Sequence, residues 1–322
     1  MSLVQQAVEA IIRPPRREYN NVDIPLVYRD ERKISYKRHP VNYTNERNQK
    51  IVGSIYVRED KDPMDGGPCV IYLHGNSSNQ FEGQFLISNI CSLGIALYLF
   101  DFAGCGDSDG DYISLGYYEI KDLNFLISQL NSTFGFDKFA LWGRSMGAAT
   151  AVLCRNPLVV CKVVDSTYSS LYEEVKAMAS NLGVPGFLSP SIIWILSHLI
   201  SNKSDFDLYS VEPLEEAKKP GNCPMIMCHA TDDKLVPFEQ GKQVFDAYSN
   251  PDKIFVKVSH GHNGRRGSAW ISRALGFILD KFGIQHTDKL YVETSCHLKP
   301  VQHFKDIRDL MGAQKVCTTA CL

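Results

Sequence analysis

Three short segments of this chain hold residues that could together break an acyl bond. The first is Gly143-Arg144-Ser145-Met146-Gly147. An apolar run, Phe139-Ala140-Leu141-Trp142, precedes it, and a small-residue helical stretch from Ala148 to Leu153 comes after. Strand, sharp turn and helix put Ser145 at an apex with its hydroxyl lifted out of the sheet. Gly143 and Gly147 suit a place where strand and helix approach too closely for side chains. A serine hydroxyl is a weak nucleophile at neutral pH and needs an adjacent base, itself oriented by a third group. A bare G-x-S-x-G occurs often by chance, so Ser145 gains weight only if the chain also supplies an acid and a base.

It supplies both downstream, in that order. Pro224 to His229 reads as a buried strand, and Ala230-Thr231-Asp232-Asp233-Lys234-Leu235-Val236-Pro237 as a loop entering a helix. A carboxylate just past a strand's C-terminal end lies on the rim where open parallel sheets keep their sites. Asp233 is favoured as the acid, and Asp232 as a turn cap. Lys253 to Val258 is the next strand, followed by Ser259-His260-Gly261-His262-Asn263-Gly264 and a helical pattern from Arg266 to Phe282. His262, in a loop directly before that helix, is favoured as the base. His260 is its rival, and spacing separates the two poorly.

A third segment could hold the oxyanion of a tetrahedral intermediate. Cys69 to Leu73 is an apolar run ending in His74-Gly75-Asn76-Ser77-Ser78. One backbone N–H comes from the residue after the nucleophile, Met146, and the other from this earlier loop, at Asn76. Such preorganised donors each lower the barrier by a few kcal/mol. Gly75 is a candidate substrate contact in the same loop. His74 reads as a packed structural histidine.

Taken together, these segments resemble the α/β-hydrolases of the serine-hydrolase type. The likeness is nearest to the serine aminopeptidase S33-like and esterase-like branch, which includes depalmitoylating thioesterases. It rests on His74-Gly75-Asn76, Asp101 to Gly110, the Ser145 turn, Asp165-Ser166, Asp233 to Pro237 and Gly261-His262-Asn263. It covers residues 35 to 283. In that family the aspartate before Val-Pro is the triad acid and the histidine before Asn the base, which the resemblance carries to Asp233 and His262. Ala230 departs from the glycine the family commonly has there. Serine at the turn, where dehalogenase and epoxide-hydrolase relatives have aspartate, points to acyl transfer. Gly104-x-Gly106 imitates a dinucleotide fingerprint, but Asp109 stands where its third glycine should be.

The elements that must position these residues alternate. Strand patterns at Val70–Leu73, Leu97–Asp101, Phe139–Trp142, Val159–Val164, Met225–Cys228 and Ile254–Val258 predict a mostly parallel sheet with helices on both faces. Ile34–Lys37 and Ile51–Val57 are predicted antiparallel strands opening it. The expected class is α/β, an α/β-hydrolase fold with a helical lid insertion. Residues 1–30 form an N-terminal helix and basic Pro-rich segment, 31–283 the catalytic domain with its lid at about 172–213, and 284–322 a C-terminal extension. Within the insertion, Ile192, Ile193, Ile195, Leu196, Leu199 and Ile200 mark an apolar stripe with Trp194 beside it. Ile193 and Trp194 are candidate substrate contacts under a lid, and the same stripe would also serve plain packing. Asn181 to Gly186 is a candidate hinge, and Gln302 to Met311 a candidate helix.

Composition narrows the class further. A net charge of −2 over 322 residues gives no electrostatic case for nucleic acid. Asp165, closing its strand on the rim, is expected to make a structural hydrogen bond rather than replace Asp233. Of the ten cysteines, Cys69, Cys91, Cys154, Cys161 and Cys228 lie inside strand or helix patterns and act as small apolar residues. No C-x-x-C or zinc spacing occurs, so no metal and no cofactor are expected. The longest apolar stretch, Phe187 to Ile200, is too short to span a bilayer. A cytoplasmic setting is therefore expected. The first helix and its basic flank, Arg13-Pro14-Pro15-Arg16-Arg17, read either as a weak membrane-surface element or as a helix packed on the catalytic domain. The expected activity is hydrolysis of an ester or thioester on a small-molecule or acylated substrate. A serine aminopeptidase and a catalytically silent binding protein on the same scaffold are the alternatives.

Overall fold

The computed structural model describes residues 3–13, 15–16, 19, 24–181, 189–286, 290–294 and 299–300. Its strands are β1 (Val27–Arg29), β2 (Ser35–Thr44), β3 (Lys50–Arg58), β4 (Gly67–Leu73), β5 (Ala96–Phe100), β6 (Phe136–Arg144), β7 (Val159–Asp165), β8 (Met225–Ala230), β9 (Lys253–Val258) and β10 (Lys299–Pro300). They form one ten-stranded sheet in the order β10-β1-β2-β3-β5-β4-β6-β7-β8-β9. Every pairing from β5 to β9 is parallel, while β10, β1, β2 and β3 pair antiparallel and β3 joins β5 antiparallel. The architecture is the α/β-hydrolase fold.

Helices cover both faces: α1 (Leu3–Ile12), α2 (Leu86–Cys91), α3 (Tyr117–Phe134), α4 (Met146–Leu153), α5 (Leu171–Asn181), α6 (Ser189–Ser204), α7 (Pro213–Lys218), α8 (Phe238–Ala247) and α9 (Ser268–Phe282). Period-two alternation divides each parallel strand between two cores. From β4, Cys69, Ile71 and Leu73 enter the core under α1, α3, α4, α6 and α8, whereas Val70 and Tyr72 enter the one under α2 and α9. A strand apolar on both sides must be buried on both sides, which is why these strands read as continuous apolar runs.

The two opening strands occur as β2 and β3 but run longer than predicted, because their pairing continues from Tyr36–Arg58 to Thr44–Lys50. Helix α3 was not read from the sequence. Its start is a local polar device. Glu119 accepts from the Gly116 and Ser114 backbone N–H groups, at 2.8 and 2.9 Å, and from the Ser114 hydroxyl.

The first helix packs on the body of the protein. Val8, Ile11 and Ile12 are buried in the core, Glu9 pairs with Lys203 of α6, and Ile113 N–H donates to Ile12 O at 2.8 Å. Val8, Ile11 and Ile12 on its apolar side face protein. In α6, Ile193, Leu196 and Ile200, spaced as one helix face, are buried. Ile195 and Leu199, grouped with that stripe in the sequence, are exposed, as is Trp194 at 62%. Residues 182–186 of the candidate hinge and the candidate helix Gln302–Met311 lie outside the described residues. Among the described residues, no helix is long and apolar enough to cross a membrane.

Candidate active site

The turn between β6 and α4 carries the strain expected of it. Ser145 has φ 53° and ψ −116°, in the half of backbone space that non-glycine residues avoid. Ser145 N–H donates to Asp165 O at 2.9 Å, and Ser145 O accepts from Ala149 N–H at 2.9 Å. A Cβ on Gly143 would lie 2.2 Å from Gly147 O, and one on Gly147 would lie 2.0 Å from Leu73 O. Only glycine lets the strands and helix come this close. Met146 begins α4, so its N–H belongs to the first turn, where no intrahelical acceptor exists.

Asp233 and His262 are brought together. His262 Nδ1 lies 2.7 Å from Asp233 Oδ2, and both side chains are buried. The other oxygen, Oδ1, accepts from Leu235 and Val236 N–H at 3.0 and 2.9 Å. Burial by itself raises this carboxyl. Hydrogen bonds from His229 and His262, the His262 charge and the Val236 N–H more than offset that, holding Asp233 well below the usual carboxylate range. Asp232 instead accepts from Gly261 N–H at 3.0 Å, tying the acid loop to the histidine loop. The turn-capping role foreseen for one aspartate thus falls to Asp233 as well. His260 is exposed, with Nδ1 2.7 Å from the Ser259 hydroxyl.

Two arginines that the sequence does not single out hold the histidine loop. Arg144 Nη2, beside the serine, donates to His262 O at 2.9 Å and to Asn263 Oδ1 at 2.8 Å. Arg266 grips Asp165 through Nε and Nη2 at 2.8–3.1 Å, and its Nη1 donates to Gly261 O and Gly264 O. Asp165 is therefore structural, as expected. The desolvation that lowers a buried guanidinium's pKa is outweighed here by Asp165, and Arg266 is raised. No local pattern marks these residues, because their partners are about a hundred positions away in sequence.

The loop after β4 is equally fixed. His74 is fully buried, accepts from Phe102 N–H at 3.1 Å through Nε2 and has Nδ1 2.8 Å from Gly75 O, which fits the structural role read from the sequence. Glu82 accepts from Tyr72 Oη at 3.0 Å, Arg144 Nη1 at 3.3 Å and Gly75 N–H. A Cβ on Gly75 would sit 3.7 Å from Ser145 Cβ, so this loop lies directly against Ser145. Asn76 comes next at the loop turn, with its side-chain Oδ1 buried and without a hydrogen-bond partner among the described residues. Asp101 accepts from Gln80 N–H, Asp107 N–H and the Tyr19 hydroxyl, joining this loop to the Asp101–Gly110 turn and the N-terminal segment.

On the insertion side, Ile193 lies in the core, while Trp194 stands in solvent, stacked on His198 with centroids 5.8 Å apart. Glu173 is half-buried and paired with Lys176 at 3.1 Å. Glu174 is buried, and Gln240 Nε2 reaches it at 3.4 Å. Burial, with the Asp233 charge adding to it, pushes its carboxyl up to about 8. Beside it a cleft of about 650 Å³ opens between α5, α7 and α8, lined by Ser169, Glu173, Glu212, Glu239 and Gln240 among others. None of Ser145, Asp233 and His262 lines that cleft.

No protein-family model matches the chain. It is 29% identical over 195 residues to Lysophosphatidylserine lipase ABHD12 of Danio rerio, covering 58% of this chain and 49% of that protein. It is 24% identical over 209 residues to Protein ABHD12B of Homo sapiens, covering 60% and 54%. The chain thus spans about half the length of these curated relatives. Among solved structures, the Pyrococcus furiosus esterase Pf2001 matches with a TM-score of 0.61 at 21% identity, over 84% of this chain and 97% of that one. Fold, turn geometry and these likenesses agree: the chain has the α/β-hydrolase fold and is similar in sequence to these relatives.

Proposed function

We propose that this chain is a serine hydrolase that cleaves a carboxylic ester or thioester through an acyl-enzyme. The observation carrying this reading is the 2.7 Å His262–Asp233 pair in a loop that Arg144, next to the strained serine, holds in place. With its Nδ1 proton donated to Asp233, His262 keeps Nε2 as an acceptor, a tautomer assigned from its partners. Nε2 takes the Ser145 proton as Oγ attacks the acyl carbon. Met146 and Asn76 N–H groups receive the charge that develops on the carbonyl oxygen. The imidazolium, stabilised by ionised Asp233, gives its proton to the departing alkoxide or thiolate. Water then repeats the sequence on the acyl-serine, with His262 again as base. No step calls for a metal or an organic cofactor.

Helices α5 and α6 serve in this reading as the lid, with Gly75 at the reacting centre and the exposed Trp194, rather than the core residue Ile193, on the acyl side. The name of the Danio rerio relative makes a lysophospholipid the first natural substrate class to try. Thiols buried inside strands and helices, with no disulfide among the described residues, support a reducing, cytoplasmic setting. An aminopeptidase would need a free carboxylate for the substrate's ammonium. Glu173 is already paired, and Glu174 holds its proton up to about pH 8, so the ester reading is preferred.

Hydrolysis of p-nitrophenyl esters from acetate to palmitate, with Ser145→Ala alongside, tests the proposal. The wild type should turn over at least one ester and the variant none. An unchanged rate in the variant would remove Ser145 from the mechanism. A folded wild type that neither hydrolyses an ester nor takes up a fluorophosphonate would favour the silent scaffold.

A further inference from the structure

His229 stands outside the triad and is completely buried in β8. Its Nε2 lies 3.0 Å from Val236 O and 3.5 Å from Asp233 Oδ2. Its Nδ1 is buried with no hydrogen-bond partner among the described residues and faces α8 at Gly241, where a Cβ would come within 2.1 Å of it. Phe238 closes another side of the ring, edge-on at 5.8 Å. A neutral imidazole carries one N–H. On Nδ1 that proton would meet no acceptor, and the Nε2 lone pair would confront two oxygens. On Nε2 it donates to Val236 O, with Asp233 Oδ2 as the longer branch of a shared bond. Hydrogen-bond accounting therefore selects the Nε2–H tautomer.

We infer that His229 is a positioning residue for the proposed triad, one N–H that ties the Val236 carbonyl and Asp233 Oδ2 together. The inference rests on the serine-hydrolase reading above. Val236 N–H already holds Asp233 Oδ1, so the bond to Val236 O fixes both ends of the turn that cradles the carboxylate. Asp233 is then held from both oxygens, and Oδ2 is aimed at His262 rather than free to rotate. Gly241 is the enabling residue, since any side chain there would displace the ring.

Two variants separate positioning from packing. His229→Leu fills similar space without a donor, and His229→Gln can set an amide N–H where Nε2 stands. On a p-nitrophenyl ester, His229→Leu should lower kcat about tenfold, the worth of one buried hydrogen bond, with KM little changed. His229→Gln should recover most of that loss. Equal losses in both variants, or a folded Leu variant with unchanged kcat, would overturn the inference. Should the Leu variant fail to fold, 15N spectra of histidine-labelled wild type decide. A neutral Nε2–H signal for His229 at neutral pH supports the role, and a neutral Nδ1–H or doubly protonated ring sinks it. Fluorophosphonate uptake by the wild type is the control. A labelled wild type with silent His229 variants refutes positioning alone, whereas an unlabelled wild type refutes the triad reading and this inference with it.

Discussion

The rim that carries the proposed triad and the α5–α6 region are held in opposite ways. On the rim, Ser145, Asp233 and His262 come from the ends of three strands, and charged hydrogen bonds from Arg144, Arg266 and Asp232 lash their loops together. In α6, one face is anchored by Ile193, Leu196 and Ile200, while Trp194, Ile195 and Leu199 face water. Directional bonds fix geometry to a fraction of an ångström, which acyl transfer requires. Apolar packing fixes one side of a helix and leaves the other open to change. On the proposed reading, the chemistry would be rigid and the specificity adjustable.

The largest effect should come from breaking the rim's own pair. Asp233→Asn keeps the shape but disturbs the His262 tautomer, and kcat should fall by about four orders of magnitude, read in single-turnover ester cleavage. Next is the clamp beneath it. Arg266→Met leaves Asp165 buried and unpaired and should lower stability by about 3–5 kcal/mol in urea titration.

Glu174 sharpens the contrast, since it belongs to α5 but feels the Asp233 charge. Its folded pKa of about 8 exceeds the ordinary 4.5, so the stability it contributes is full below pH 4.5 and is lost as pH rises through 8. Glu174→Gln should therefore match the wild type near pH 4.5 and exceed it above pH 8, by on the order of a few kcal/mol. Melting temperatures across that range check the sign. The smallest effect belongs to the open side. Trp194→Ala should change stability by no more than about 0.5 kcal/mol. It should raise KM for long acyl chains more than it lowers kcat.

The strand–turn–helix at Ser145 was legible because its signal is local, two glycines and a serine between an apolar run and a small-residue helix. The six parallel strands were legible for a similar reason, and each occurs within about two residues of its predicted place at most ends. Spacing alone separated His260 from the favoured His262 poorly, since what distinguishes them is contact with Asp233, which lies 29 positions from His262. Helix α9 begins at Ser268 rather than Arg266, where the pattern started, because Gly267 caps it with an extended backbone at ψ 161°. Arg144, Arg266 and the buried Glu174 all look like surface charge in one dimension. Their roles arise only once distant loops meet, and no periodicity records that.

The edge of the sheet has a consequence for how the molecule is made. Strand β1 lies between β2, its close neighbour in sequence, and β10, which pairs Tyr28 with Pro300 and Arg29 with Lys299. Glu293, just before, is buried on α2, bonded to Ser88 and Asn89. During synthesis the core from β4 to β9 can assemble while this edge of β1 still lacks its partner. Only when translation has passed Pro300 can the border be sealed. Pairing between such distant positions is slow, because a long loop must close first. A ribosome pausing before that point would present β1 as an open strand, the state in which chaperone binding matters most.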